Sequence, residues 1–263
     1  MRRAYVDTRH GQVHLRESGG GDRVLILIHW TPLSGRMFER LAPHLVSGGW
    51  RVVAPDLLGY GRSDPRPAQW SIEAWATSVG EVMDALGIAN ASVLGGHVGA
   101  SVAVELALAQ GPRVDRLVLD GCPIMTPELR AAFRAIGERQ APATATDPLD
   151  RTVGLLREYL PGYAPEGGQL ELLWPTLVDY LETRFVSSAP IAGHYDIAPR
   201  LGLVQQPVLI LGAELDSLAG TFATATALAD TARSHRFPGR HPLLEDDRTH
   251  EYAAVVLDFL AGS

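Results

Sequence analysis

The feature that most restricts the fold is a regular alternation of short apolar runs with helical segments. "RVLILIHW" (23–30) is a continuous apolar run, as a strand buried on both faces of a parallel sheet requires. "WRVVAPDLLGYGRSD", "ASVLGG", "VDRLVLDGCP", "QPVLILGAELD" and "SHRFPG" repeat the theme. Between them lie "SGRMFERLAPHLVSGG", "SIEAWATSVGEVMDALGI" with Ser71 placed as an N-cap, "VGASVAVELALAQG", "GTFATATALADTA" and "DRTHEYAAVVLDFLAG", each with helical spacing. This order predicts a doubly wound, mostly parallel α/β sheet. The alternating "AYVDTRHGQVHLRESG" adds an N-terminal β-hairpin turning near His10-Gly11. The rhythm breaks between Ile124 and Gln205, where Pro, Ala and Arg interrupt helical segments. Residues 124–205 therefore read as a helical cap inserted into a core formed by 1–123 and 206–263.

Composition removes several function classes. The net charge of -7 argues against nucleic acid or an anionic membrane as the main partner. All 23 basic residues are Arg, which excludes a Schiff-base lysine and suggests a GC-rich bacterial source. The single cysteine, Cys122, cannot form an internal disulfide. The segment "MRRAYVDTRHGQVHLRESG" has no apolar stretch after its arginines, and no apolar run approaches membrane-spanning length. The expectation is a cytoplasmic monomer or homodimer acting on a small molecule.

Four segments carry the chemistry, in order: "LIHWTPLSGRMFERLAPHL", "VVAPDLLGYGRSD", "LGGHVGASVAVELA", and the C-terminal pair "LILGAELD" with "FPGRHPLLEDDRTHEYAAVVLDFL". In this register the chain resembles the α/β-hydrolase superfamily over nearly its full length, in its capped esterase, epoxide-hydrolase and C–C hydrolase branch. The third segment matches the nucleophile elbow G-x-S-x-G, with His97 in place of the serine. Gly95 and Gly99 keep the small flanking residues that the turn needs.

The resemblance implies the remaining roles. Asp216, closing "LILGAELD", falls at the acid position, and His241 in "PGRHPLLED" at the catalytic histidine position. Asp216 is expected to orient His241; Asp120, at the end of "RLVLD", is the alternative acid. Backbone donors to an oxyanion are expected at Val98 and Thr31, although Trp30 replaces a glycine beside Thr31. His29 is expected to brace its loop through backbone hydrogen bonds, with Asp56, Arg62 and Ser63 organising the loop beneath the site. Trp30, Cys122, Met125, Trp174 and Tyr195 are the candidate substrate-contacting residues.

A histidine facing His241 would form a pair holding one acid and one base near neutrality. That suits a non-hydrolytic step without cofactor or metal: proton abstraction, ring or epoxide opening, elimination or C–C bond formation. An apolar or aromatic natural-product substrate fits the aromatic residues of the cap. Two alternatives stay open. One is hydrolysis of an ester, lactone or epoxide by activated water or covalent His97; the other is a catalytically silent binding member of the fold.

Overall fold

The computed structural model describes residues 1–140, 178–179, 182, 188–229, 232–244 and 248–262, with backbone alone at 136–140 and 244. Its sheet has eight strands in the order β1-β2-β4-β3-β5-β6-β7-β8. The hairpin β1 (Arg2–Thr8) and β2 (Gly11–Ser18) turns where the alternation expects, and β2 joins β4 (Arg51–Pro55) antiparallel. The remaining strands run parallel: β3 (Val24–Ile28), β5 (Ala91–Gly96), β6 (Val114–Asp120), β7 (Val208–Ala213) and β8 (Ala232–Phe237).

Helices cover both faces, which explains why β3, β5 and β7 are buried at every position. On one face α2 (Ile72–Ala85) and α3 (Val98–Gln110) bury Trp75, Val79, Ala100 and Val104 against Ile26, Val93 and Leu117. On the other, α1 (Ala42–Ser47) and the closing helix Thr249–Leu260 bury Leu45, Tyr252 and Val256 against Leu27, Leu94 and Val118. Ser71 caps α2, its hydroxyl accepting from the Ala74 N–H at 3.2 Å.

One helix differs from expectation. "SGRMFERLAPHLVSGG" divides into a 3-10 turn, Gly35–Phe38, and the shorter α1. Pro43 lacks an N–H and crowds the preceding turn, so a helix can begin beside it but cannot run through it.

Most of the stretch expected to form the cap lies outside the described residues, including Trp174. The described part consists chiefly of α4 (Pro127–Gln140), α5 (Ala189–His194) and α6 (Ile197–Leu201). Glu105 of α3 anchors this return: it accepts from Arg200 at 2.6 and 2.8 Å and from the Tyr195 hydroxyl at 2.8 Å. No helix among the described residues is long and apolar enough to cross a membrane.

Candidate active site

The sheet presents the C-terminal ends of β3, β5, β6 and β7 to one another, and the site grows from those ends. β5 ends at Gly96 and α3 begins at Val98, so the chain reverses within one residue. That residue, His97, has φ 50° and ψ −116°, the one positive φ outside glycine among the described residues. An L-residue holds such a backbone only when its surroundings impose it. The flanking glycines show how: a Cβ on Gly95 would lie 2.1 Å from the Gly99 carbonyl oxygen, and one on Gly99 would lie 2.5 Å from that of Ile28. The elbow geometry is present with histidine at its tip. The His97 N–H donates to the Asp120 carbonyl at 2.8 Å, and Val98 opens α3, where first-turn N–H groups lack intrahelical partners.

The imidazole of His97 turns toward β7. Its Nε2 lies 3.0 Å from Oδ2 of Asp216. The carboxylate also accepts the Leu218 N–H at 2.7 Å on Oδ1. Burial pushes the Asp216 carboxyl upward, but the hydrogen bond and charge of His97, with the Leu218 N–H, outweigh it and leave Asp216 below the usual carboxylate range. An ionised carboxylate only accepts, so Nε2 of His97 carries a proton, and whenever the ring is neutral Nδ1 is the nitrogen with the lone pair.

His241 is elsewhere engaged. Its Nε2 lies 2.9 Å from Oδ1 and 2.8 Å from Oδ2 of Asp120, and its Nδ1 accepts the Leu243 N–H at 3.2 Å. The Tyr252 hydroxyl donates to Oδ2 of Asp120 at 2.8 Å. All three side chains are buried. Burial, then the Asp120 charge, pushes the Tyr252 phenol well above its ordinary range, so it stays a donor. The expected Asp216–His241 pairing is therefore corrected: Asp216 serves His97 and Asp120 serves His241.

Trp30 explains the exchange of partners. Its indole stacks on His97 at 4.4 Å between centroids and 13° between planes, and meets His241 edge-on at 4.8 Å and 88°. Histidine facing histidine, as the motifs suggest, is thus replaced by histidine, indole, histidine. Glycines make room for both neighbouring rings. A Cβ on Gly96 would lie 1.8 Å from Nε1 of Trp30, and a Cβ on Gly121 would lie 2.6 Å from Cδ2 of His97. Neither Gly96 nor Gly121 stands out in the sequence, because their necessity depends on rings contributed by other segments.

The supporting loops follow expectation. His29 donates from Nδ1 to the Trp30 carbonyl at 2.8 Å and accepts the Leu57 N–H on Nε2 at 2.9 Å. Asp56 gathers the Gly35 and Arg62 N–H groups, Nδ1 of His14 and the guanidinium of Arg16, while Ser63 donates to the Asp56 carbonyl. The Thr31 hydroxyl is 2.6 Å from that of Ser188, and the Tyr60 phenol hydrogen-bonds with both.

The residues expected to contact substrate are placed as follows. Trp30 is 1% exposed and packed between the two imidazoles. Cys122 is buried in the core, where desolvation pushes its thiol up to about 12. Met125 is buried, and Tyr195 is held by Glu105. All four side chains are buried in the described structure. Among the described residues no group of three or more His, Cys, Asp or Glu side chains is arranged to hold a metal ion.

The fold has counterparts in known proteins. Residues 23–247 match the family model described as the alpha/beta hydrolase fold, and the chain belongs to that family. It is 27% identical over 265 residues to a 2-hydroxy-6-oxononadienedioate/2-hydroxy-6-oxononatrienedioate hydrolase of Paraburkholderia xenovorans, covering 95% of this chain and 91% of that one. A haloalkane dehalogenase of Mycobacterium marinum is 31% identical over 119 residues, 44% of this chain and 40% of its own. Among solved structures, the enol-lactonase from Burkholderia xenovorans superposes with a TM-score of 0.83 at 21% identity, covering 98% of this chain and all of that one (100%). A single-residue mutant of the meta-cleavage product hydrolase CumD gives 0.77 at 20% identity, covering 99% and 98% of the two chains. The two structural matches speak to the fold.

Proposed function

We propose that this chain is a cofactor-independent enzyme in which His97, oriented by Asp216, moves a proton on an apolar, enolisable carbonyl substrate. The observation that carries this reading is the His97–Asp216 hydrogen bond at the tip of the elbow. It fixes the tautomer, leaves Nδ1 as the base, and stabilises the imidazolium formed when Nδ1 takes the proton. The first turn of α3, through the Val98 N–H, is the donor for an enolate oxygen, with Thr31 on the facing loop. His241, with both ring nitrogens engaged, positions the loop behind Trp30 and takes no part in proton transfer. The enolisable carbonyl, but not the apolar character, agrees with the 2-hydroxy-6-oxo unit in the name of the Paraburkholderia relative, which is that of a dicarboxylate.

Hydrolysis through a water activated by His97 is the second reading, favoured by the hydrolase names of full-length relatives. Both readings are tested together. The protein is incubated in D2O with a panel of 1,3- and 1,5-dicarbonyl compounds, and separately with aryl esters and lactones. NMR follows deuterium entering the acidic carbon, or ring and ester opening. Exchange without cleavage, lost in His97→Ala, supports proton transfer; cleavage lost in the same variant supports the hydrolytic reading. Saturable binding without either reaction, unchanged by His97→Ala, would overturn both and favour a silent binding protein.

A further inference from the structure

A second cleft lies away from the elbow, between the loop that follows β4 and the helices α4 and α5. It holds about 680 Å³ and is lined by Arg66, Gln69 and Trp70 from the loop, Arg134 from α4, and Ile191 and His194 from α5, with small neighbours. No carboxylate is among its described lining residues, in a chain whose net charge is -7. On a protein with this excess of acids, a concave surface whose described lining carries two guanidiniums and no acid is a local field of the opposite sign.

The walls are not uniform. Arg134 spends one nitrogen on the Gly193 carbonyl, Nη1 to oxygen 2.7 Å, which fixes the guanidinium at the junction of α4 and α5. Arg66 is partly buried, and desolvation holds its guanidinium below the ordinary value, with the Tyr60 phenol acting in the opposite sense. A desolvated guanidinium binds an anion more strongly than a hydrated one because less water must be displaced. Ile191 is buried and Trp70 half-buried, so the floor between the cations is apolar. The Trp70 Nε1–H is buried with no hydrogen-bond partner among the described residues, so its resonance reports on packing around the ring.

We propose that this cleft is a binding site for a small aromatic carboxylate, its ring against Trp70 and Ile191 and its carboxylate between Arg66 and Arg134. The site is distinct from the elbow. On its inner side Arg66 approaches Tyr60, whose hydrogen bonds with Ser188 and Thr31 lie next to Trp30. A planar carboxylate matches the fork of a guanidinium, and the apolar floor selects an acid with a ring over a bare inorganic anion.

The test uses the full chain, with 4-(trifluoromethyl)benzoate as probe and its uncharged amide as control. Binding is followed by fluorine NMR and by the Trp70 indole N–H signal, identified with Trp70→Phe. The acid is expected to bind about tenfold more tightly than the amide and to shift the Trp70 signal. Arg134→Gln and Arg66→Gln should each remove most of that preference, and inorganic phosphate should compete weakly. Equal binding of acid and amide would overturn the proposal. So would a preference that survives in the folded Arg66→Gln/Arg134→Gln double variant, a Trp70 signal unmoved at saturation, or phosphate binding as tightly as the acid.

Discussion

Nε2 of His97 and Oδ2 of Asp216 lie 3.0 Å apart, joining the tip of the elbow to the end of β7. The carboxylate that the motifs assign to His241 instead bonds the residue at the tip of the turn between β5 and α3. From this follows a division of labour between two carboxylate–imidazole pairs, one partly exposed at the elbow and one buried behind an indole.

Asp216→Asn and Asp120→Asn should therefore differ in kind. The first removes the anion that orients His97 in the proposed proton transfer, and turnover should fall by about 100-fold or more with little change in melting temperature. The second leaves His241 and Tyr252 buried against a neutral amide, and should destabilise the fold by about 3 kcal/mol. Activity assays and denaturant titrations of both variants separate these effects.

Gly96→Ala should displace the Trp30 indole, because the added carbon would fall 1.8 Å from Nε1. The cost is about 1–3 kcal/mol, as for other overpacked cores. Trp30→Gly should relieve the clash, so the double variant loses less than the sum of the single changes. A double-mutant cycle in urea measures that coupling.

His97→Ser alone should react poorly with a fluorophosphonate. The serine would still face Trp30, and Nε2 of His241 would remain bound to Asp120. Adding Trp30→Gly removes the barrier between residues 97 and 241, and labelling should increase by about 100-fold, the lower end expected of an activating base. Mass spectrometry of the labelled chain reads the result.

Asp179 supplies a pH dependence. Its carboxylate accepts from the Ser34 N–H at 3.0 Å and hydroxyl at 2.9 Å and pairs with Arg36, yet burial pushes it up to about 6. The folded state thus holds this proton more tightly than the unfolded chain, whose carboxyl titrates near 3.8. The cost of the buried charge is fully present above pH 6 and is relieved as the pH falls toward 4. Asp179→Asn should flatten the stability profile across that window by about 1–3 kcal/mol. Melting curves at half-unit pH intervals show it.

The parts of the fold legible in the sequence are those set by local pattern. Apolar runs of strand length, the His10-Gly11 turn and the Ser71 cap depend on near neighbours, and the structure shows each in place. The elbow is legible for the same reason, since Gly95 and Gly99 sit within two residues of His97. The pairing of acids with imidazoles is not. Asp120 ends β6 and Asp216 lies in the turn after β7, both within reach of the same space, and the Trp30 ring lies between the two imidazoles they hold. Tyr252 shows no motif at all; its role comes from the closing helix lying over β6.

The pairing itself is open to direct measurement. Long-range proton–nitrogen NMR resolves the imidazole N–H protons held by carboxylates, and His97→Ala and His241→Ala assign them. Asp216→Asn is predicted to shift or remove the His97 Nε2–H signal and leave that of His241 in place, while Asp120→Asn does the reverse. Loss of the His241 signal in Asp216→Asn, with His97 unaffected, would contradict the account.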